Sequence, residues 1–241
     1  MGTPEATMIC LDDSACLRGH RWSKAQFVAV KVYCELKFKC NPENRVGLLG
    51  MGSFKFGPTL SPTNDMNSII LYLEDMYLYN YGERADFYDA MGAAASKLWD
   101  FARIKRRILA FVGSPINMHW SYTKPLGEQF KDCGVALDVV NFFIMKKISH
   151  RVEYGTGAHE LLYGTYHYGR EQLGELVELI NTDGNCHIVD MEDVNETSIG
   201  RKLQRSRILR KSVRYLVKRK AKKNGDGIGA GENEKLKLEA V

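Results

Sequence analysis

The chain has 241 residues, of which 44% are hydrophobic and 26% are charged, and its formal net charge is +5. These values are typical of one globular domain with some additional length, so we expect one sizeable core. Because the chain shows neither a signal peptide pattern nor an apolar run long enough to cross a bilayer, we expect a soluble, intracellular protein and no membrane partner.

Alternating strand and helix patterns extend along the first 191 residues. Short apolar runs between polar turns predict buried strands, and apolar residues at helical spacing predict helices. In chain order the predicted elements are strand Ala6–Leu11, helix Lys24–Phe38, strands Arg45–Met51 and Phe54–Leu60, a helix that begins at Ser61, helix Ala85–Ile104, strand Ile108–Val112, helix Tyr122–Cys133, strand Val135–Phe142, helix Gln172–Asn181 and strand Cys186–Met191.

This alternation predicts an α/β fold, a doubly wound and mostly parallel sheet flanked by helices. We expect this domain to cover residues 5–200. A stretch rich in Tyr, His and Gly at 145–168 lengthens one connection, so we interpret it as an insertion. A basic amphipathic helix at 201–223 and a flexible tail at 224–241 are expected to follow the domain.

The positive charge is concentrated in the segment after the predicted domain. Residues 1–200 carry 20 basic and 25 acidic side chains, whereas residues 201–223 carry 12 basic side chains and no acidic one. Such a segment suits nucleic acid, an acidic membrane surface or an acidic groove of a partner protein. The predicted basic, partner-binding helix presents Arg205, Arg210, Lys211, Arg214, Lys218 and Arg219.

Polar and small residues follow two of the predicted strands. Because the carboxyl ends of parallel strands form the binding crevice of such sheets, these residues should lie together at one functional rim. Asp12 is expected there as an exposed acid. The predicted protein-docking rim consists of Asp12, Asp13, Ser14, Gly113, Ser114 and Pro115.

The same residues match a metal site only in part. An adhesion-type magnesium site uses Asp-x-Ser-x-Ser after the first strand and an Asp after the central fourth strand. Here Asp12 and Ser14 are followed by Cys16, whose sulfur suits a hard cation poorly, and Gly113-Ser114 takes the place of the second Asp. The prediction is therefore no metal and no cofactor.

No other motif predicts catalysis. Gly52 is followed by Ser53 instead of the lysine of a phosphate-binding loop, and the glycines at 47–57 are expected to be structural. The six cysteines form no C-x-x-C pair and are expected to be reduced thiols, without zinc or disulfides. We expect no enzymatic activity and no catalytic residues.

Several segments together resemble a known family. Asn-Pro-Glu-Asn-x-Val-Gly-Leu at 41–48 and Ala-Phe-Val-Gly-Ser-Pro at 110–115 are the most specific, and the strands at 6–14 and 135–142 fit in the same order. Over about residues 5–210 the chain resembles the von Willebrand factor A domain of the ubiquitin-receptor subunit of the proteasome regulatory particle.

The resemblance implies a non-enzymatic scaffold of the cytoplasm and nucleus that acts in ubiquitin-dependent protein degradation. In this family the domain helps hold the lid to the base of the regulatory particle, beside the deubiquitinase pair. The ubiquitin-interacting motif of longer relatives is acidic, whereas residues 201–223 are basic. The resemblance therefore implies lid and base subunits as partners and leaves ubiquitin chains open.

Two alternatives remain at this point. The chain could be an A-domain scaffold of a transcription and repair complex, although the zinc modules expected of that subunit are absent from this sequence. It could also be a nucleic-acid-binding module that acts through residues 201–223, although Tyr215 alone in that segment offers a base-stacking ring.

Overall fold

The structure is a computed structural model, and it describes residues 3–14, 22–52, 58–79, 85–114, 116, 120–142, 169–191, 196–209 and 216. The predicted insertion at 145–168, the tail at 224–241 and most of the basic segment lie outside these residues. Six strands and six α-helices are described: β1 Glu5–Leu11, α1 Trp22–Cys40, β2 Arg45–Gly50, β3 Leu60–Thr63, α2 Met66–Tyr79, α3 Phe87–Lys97, β4 Lys105–Val112, α4 Trp120–Asp132, β5 Val135–Phe142, α5 at 169–180, β6 His187–Met191 and α6 Glu196–Arg205.

The six strands form one sheet in the order β3-β2-β1-β4-β5-β6. All neighbouring strands are parallel except β3, which runs antiparallel to β2 at one edge. The chain moves outward from β1 to β2 and β3, and then returns to the other side of β1 with β4. The predicted fold class is confirmed, and the point where the strand order reverses lies between β1 and β4.

The central strands are buried on both faces, which explains why they are mostly apolar. All seven residues of β1 and all eight of β5 are buried. On one face α3, α4 and α5 cover side chains such as Met8 and Ile108, and on the other face α1, α2 and α6 cover Ile9 and Leu109. The domain is therefore a three-layer sandwich with two cores.

One predicted helix start is wrong. Ser61 and Pro62 were expected to open a helix, but both lie in β3, and α2 begins at Met66. Pro62 is tolerated because β3 is an edge strand, where a missing backbone N–H need not break a ladder hydrogen bond. Asp65 caps α2 instead: its Oδ1 accepts from the Asn67 amide at 3.0 Å, and its Oδ2 accepts from the Ser68 hydroxyl at 2.5 Å. These hydrogen bonds lower the pKa of the Asp65 carboxyl.

The helix predicted at Ala85–Ile104 is shorter than expected. It begins at Phe87, where Asp86 is the N-cap and accepts from the Asp89 amide at 3.2 Å, and it ends at Lys97. A single 3-10 turn, Trp99–Phe101, then leads into β4.

The first half of the predicted strand Phe54–Leu60 lies outside the described residues, and the strand that pairs with β2 is β3.

The domain boundary predicted at residue 200 falls inside α6. This helix ends at Arg205, Ser206 forms a bend, and a further helical turn follows at 207–209. Leu203 and Leu209 are completely buried in the core that α1 and α2 share. The beginning of the basic segment is therefore part of the packed domain.

Within the part of the chain that the structure describes, no helix combines the length and apolar character needed to cross a membrane. The described cysteines are all free thiols, and Cys16 lies outside the described residues. Burial raises the pKa of the Cys34 thiol to about 12, so this thiol stays protonated at neutral pH.

Candidate docking rim

The predicted rim forms where the strand order reverses. Asp12, Asp13 and Ser14 follow the carboxyl end of β1, and Gly113 and Ser114 follow the carboxyl end of β4, the neighbouring strand. This is the position at which open α/β sheets bind ligands. The structure brings these five residues together, and Pro115 lies outside the described residues.

The Asp12 carboxylate joins the two strand ends. Its Oδ1 accepts from the Ser14 amide at 3.2 Å and from the Ser14 hydroxyl at 2.7 Å. Its Oδ2 accepts from the Gly113 amide at 2.9 Å and from the amide and hydroxyl of Ser114, each at 2.7 Å. One carboxylate therefore holds the loop after β1 against the loop after β4.

The expectation that Asp12 is an exposed acid is wrong. Its relative exposure is 2%, and Ser14 and Ser114 are also buried. A buried carboxylate needs donors to replace water, and five protein donors supply them here. The backbone of Asp12 is hydrogen-bonded to the side chain of Gln26 in α1. The Gln26 Oε1 accepts from the Asp12 amide and its Nε2 donates to the Asp12 carbonyl, both at 3.0 Å.

Asp13 ties the end of β2 into the same rim. Its Oδ1 accepts from the Gly52 amide at 2.6 Å, and the Met51 amide donates to the Leu11 carbonyl at 2.7 Å. Asp86, at the start of α3, continues the chain of contacts through its amide, which donates to the Met51 carbonyl at 3.0 Å. Three strand ends and two helices are thus held as one surface.

The rim residues do not fit the magnesium site that this fold often carries. Asp12, Ser14 and Ser114 supply oxygens, but both carboxylate oxygens of Asp12 already accept hydrogen bonds from backbone amides and hydroxyls. A cation would have to displace these donors, and the next position of the motif is Cys16, a poor ligand for a hard cation. In the residues described, no group of three or more His, Cys, Asp and Glu side chains is placed to hold a metal.

A second polar cluster lies at the opposite end of the sheet, near the amino ends of the strands. Arg107 of β4 stands between two carboxylates: its Nε lies 3.2 Å from Glu5 Oε2 and its Nη1 lies 2.6 Å from Asp138 Oδ2. Lys37 of α1 pairs with Glu5 at 2.5 Å, and His187 of β6 approaches Asp138 at 2.9 Å. We call these five residues the ionic cluster.

The ionic cluster shifts the titration of its members. Burial favours the neutral form of Glu5, but the nearby charges of Arg107 and Lys37 outweigh burial and lower the pKa of Glu5 to about 2. Burial favours the neutral form of Lys37 too, yet Tyr33 and Glu5 raise its pKa. Burial raises the pKa of the Tyr33 hydroxyl to about 12. Glu5, Lys37 and Arg107 are therefore charged at neutral pH.

The ionic cluster was not predicted from the sequence. Its signal was a charged residue inside an apolar strand: Asp138 interrupts Val-Ala-Leu-Asp-Val-Val, and Arg107 precedes Ile-Leu-Ala-Phe-Val. Asp138 is completely buried, so a partner of opposite charge was required. The partner could not be named because Arg107 lies on another strand, 31 residues from Asp138 in sequence.

Of the predicted basic, partner-binding residues, the structure describes one. Arg205 is exposed at the end of α6. The other five, Arg210, Lys211, Arg214, Lys218 and Arg219, lie outside the described residues. The ordering of the basic segment beyond residue 209 stays a prediction.

Comparison of the sequence with family models gives no match. Curated relatives do match. The chain is 33% identical over 144 residues to a 26S proteasome non-ATPase regulatory subunit 4 homolog of Oryza sativa, an alignment that covers 57% of this chain and 35% of that protein. It is 24% identical over 210 residues to the 26S proteasome regulatory subunit rpn10 of Schizosaccharomyces pombe, covering 81% and 76%. The chain thus spans about a third of the length of the rice relative.

Solved structures give the same fold. The von Willebrand factor A domain of SpRpn10 superposes with a TM-score of 0.65 at 23% identity, covering 85% of this chain and 96% of that one. A von Willebrand factor type A protein from Catenulispora acidiphila superposes with a TM-score of 0.56 at 8% identity, covering 90% and 43%. The family resemblance stated from the sequence is therefore confirmed: the chain has the von Willebrand factor A fold and is related in sequence to the 26S proteasome non-ATPase regulatory subunit 4.

Proposed function

We propose that the chain is a non-enzymatic scaffold subunit of the proteasome regulatory particle, in which it helps hold the lid to the base. The relatives named as proteasome regulatory subunits support the assignment to this assembly. Its partners are lid and base subunits, including the deubiquitinase pair, and its place is the cytoplasm and nucleus. Capture of ubiquitin chains is not part of the proposal, because the usual acidic motif is not found in this sequence.

The observation that carries the proposal is the construction of the rim. At the position where related folds bind a cation or a substrate, the Asp12 carboxylate is engaged by five donors of its own chain. These contacts fix the loops after β1 and β4 in one rigid shape. A preorganised surface lowers the entropy that association costs, which favours protein docking over chemistry at this site.

Co-purification from native extract tests the proposal. The tagged full chain is expected in intact regulatory particles, and its absence from them would refute the scaffold function. Asp12→Arg is expected to weaken docking, because a buried cation in place of the carboxylate opens the rim. Asp100→Arg, which makes the same charge change at an exposed position, is the matched control and should dock normally.

A less disruptive variant keeps the proposal testable if Asp12→Arg unfolds the domain. Ser114→Ala removes one hydroxyl donor to Asp12 and is expected to cost about 1 to 3 kcal/mol of stability. Its far-ultraviolet circular dichroism should stay native while its recovery with particles falls. Unchanged recovery of both rim variants would show that docking uses another face of the domain.

A further inference from the structure

A basic cleft opens beside the ionic cluster, at the end of the sheet opposite the docking rim. It has a volume of about 420 Å³ and lies where the amino ends of β1, β4 and β6, the carboxyl end of α1 and the turn at 207–209 meet. Its lining includes five Lys and Arg side chains and one carboxylate. They are Lys37, Lys105, Arg106, Arg107, Arg207 and Glu5.

The single carboxylate of the cleft is already neutralised. Lys37 and Arg107 both pair with Glu5, and Arg107 also pairs with Asp138, which is completely buried. The excess positive charge therefore belongs to Lys105, Arg106 and Arg207. In the described part of the chain none of these three side chains forms an ion pair.

Neutralisation of a helix end accounts for Arg106 but not for Lys105 or Arg207. Arg106 donates to the Cys133 carbonyl at the end of α4, which explains its position. The Lys37 carbonyl at the end of α1 already accepts from the Asn44 side chain at 2.7 Å and from the Asn41 amide at 3.0 Å. Lys105 and Arg207 are exposed and make no such hydrogen bond among the described residues.

The cleft also adjoins the basic segment of the sequence. Arg207 belongs to that segment, and its neighbours Ile208 and Leu209 are buried in the domain, so this part of the segment lies at the edge of the cleft. The packing of these two apolar side chains holds Arg207 in place.

We propose that this basic cleft binds a Glu- or Asp-rich peptide segment of a partner protein. A cleft of this volume admits one or two carboxylate side chains with their backbone, and a row of carboxylates complements Lys105, Arg106 and Arg207. Among the described residues that line the cleft there is no Phe, Tyr or Trp, and the one imidazole, His187, is paired with Asp138, so an acidic peptide is favoured over nucleic acid. The proposal does not depend on the proteasome assignment.

Fluorescence anisotropy with the full chain and a labelled oligoglutamate peptide tests the cleft directly. We expect saturable binding that weakens with added salt, and no binding of an oligoglutamine peptide of equal length. The double variant K105E/R207E should weaken binding about tenfold, since it replaces two attractive contacts with repulsive ones. Binding that is unchanged in this variant would refute the proposal.

Two further variants distinguish binding in the cleft from an effect of the net charge or of the basic segment. K24E/K31E changes the net charge by the same amount at exposed positions of α1 outside the cleft, and it should bind like the unaltered chain. Replacement of Arg210, Lys211, Arg214, Lys218 and Arg219 by Gln leaves the cleft intact and should retain most of the affinity. Loss of binding in either variant, with K105E/R207E unaffected, would assign the interaction to the net charge or to the basic segment.

NMR titration and competition with an oligonucleotide locate the binding site and identify the preferred ligand. Amide signals of residues 105–107 and 185 in NMR spectra should shift on titration with oligoglutamate, because these residues line the cleft. Single-stranded oligouridylate of equal charge should compete weakly. Tighter binding of the oligonucleotide at the same residues would overturn the choice of an acidic peptide. Failure of co-purification with proteasomes would leave these results unchanged.

Discussion

Replacement of Glu5 by Gln measures how much the ionic cluster contributes to stability. Glu5 is 10% exposed and pairs with Lys37 and Arg107. Its pKa falls from 4.5 to about 2 on folding, which corresponds to about 3 kcal/mol of stability at neutral pH. Because Glu5→Gln removes the charge but keeps the size of the side chain, we expect a loss of about 3 kcal/mol at pH 7.

The pH dependence identifies the cause of that loss. A carboxyl with a lowered pKa stabilises the folded state above its unfolded-state pKa of about 4.5, and this contribution disappears as the pH falls toward 2. The stability difference between the unaltered chain and Glu5→Gln should therefore shrink as the pH falls from about 5 toward 2. Urea unfolding at a series of pH values measures it.

A matched control and a refuting result follow from the same structure. Glu43→Gln changes an exposed acid in the turn before β2, and its stability should stay within about 0.5 kcal/mol of the unaltered chain. A difference between Glu5→Gln and the unaltered chain that stays constant between pH 7 and pH 3 would show that packing, and not charge, causes the loss.

The remaining predictions concern local packing and are measured by thermal or urea unfolding. Gly47→Ala should cost about 1 to 3 kcal/mol, because the new Cβ would lie 2.4 Å from Met8 Sδ and 2.7 Å from a backbone carbonyl of β3. Gly92→Ala in α3, where nothing lies within 4 Å of the new Cβ, should stabilise the chain by about 0.5 to 1 kcal/mol, and the reverse order of these two variants would contradict the reasoning. Asp86→Ala removes the N-cap of α3 and should cost about 1 kcal/mol; an unchanged midpoint would argue against the cap. Leu203→Ala should cost about 2 to 5 kcal/mol if the start of the basic segment is part of the core, whereas a cost below about 1 kcal/mol would show that it is not.

The strand pattern of the fold was largely predictable from sequence. The run Val135–Phe142 was predicted with the bounds that β5 has, because a strand buried on both faces is rich in apolar residues along its whole length. The helix start at Ser61 was wrong because Ser-Pro is equally compatible with an edge strand, and the true cap, Asp65, was not recognised.

The docking rim was predictable in its position and not in its burial. A general property of parallel sheets places residues after β1 and β4 side by side, so Asp12 and Ser114 could be paired from sequence. The burial of Asp12 depends on the donors of two loops and on Gln26 of α1, 14 residues along the chain. Such tertiary hydrogen bonds leave no local pattern in a sequence.

The diagonal placement of Arg107 has a consequence for how the sheet assembles. Apolar parallel strands such as β1, β4 and β5 look alike after a slip of one or two residues, so hydrophobicity alone specifies their register weakly. Arg107 lies opposite Thr7 and Ala136, and its guanidinium reaches back to Glu5 and forward to Asp138. A slip of one residue would turn Arg107 to the other face and leave two carboxylates buried without it. One arginine thus selects a single alignment of three strands.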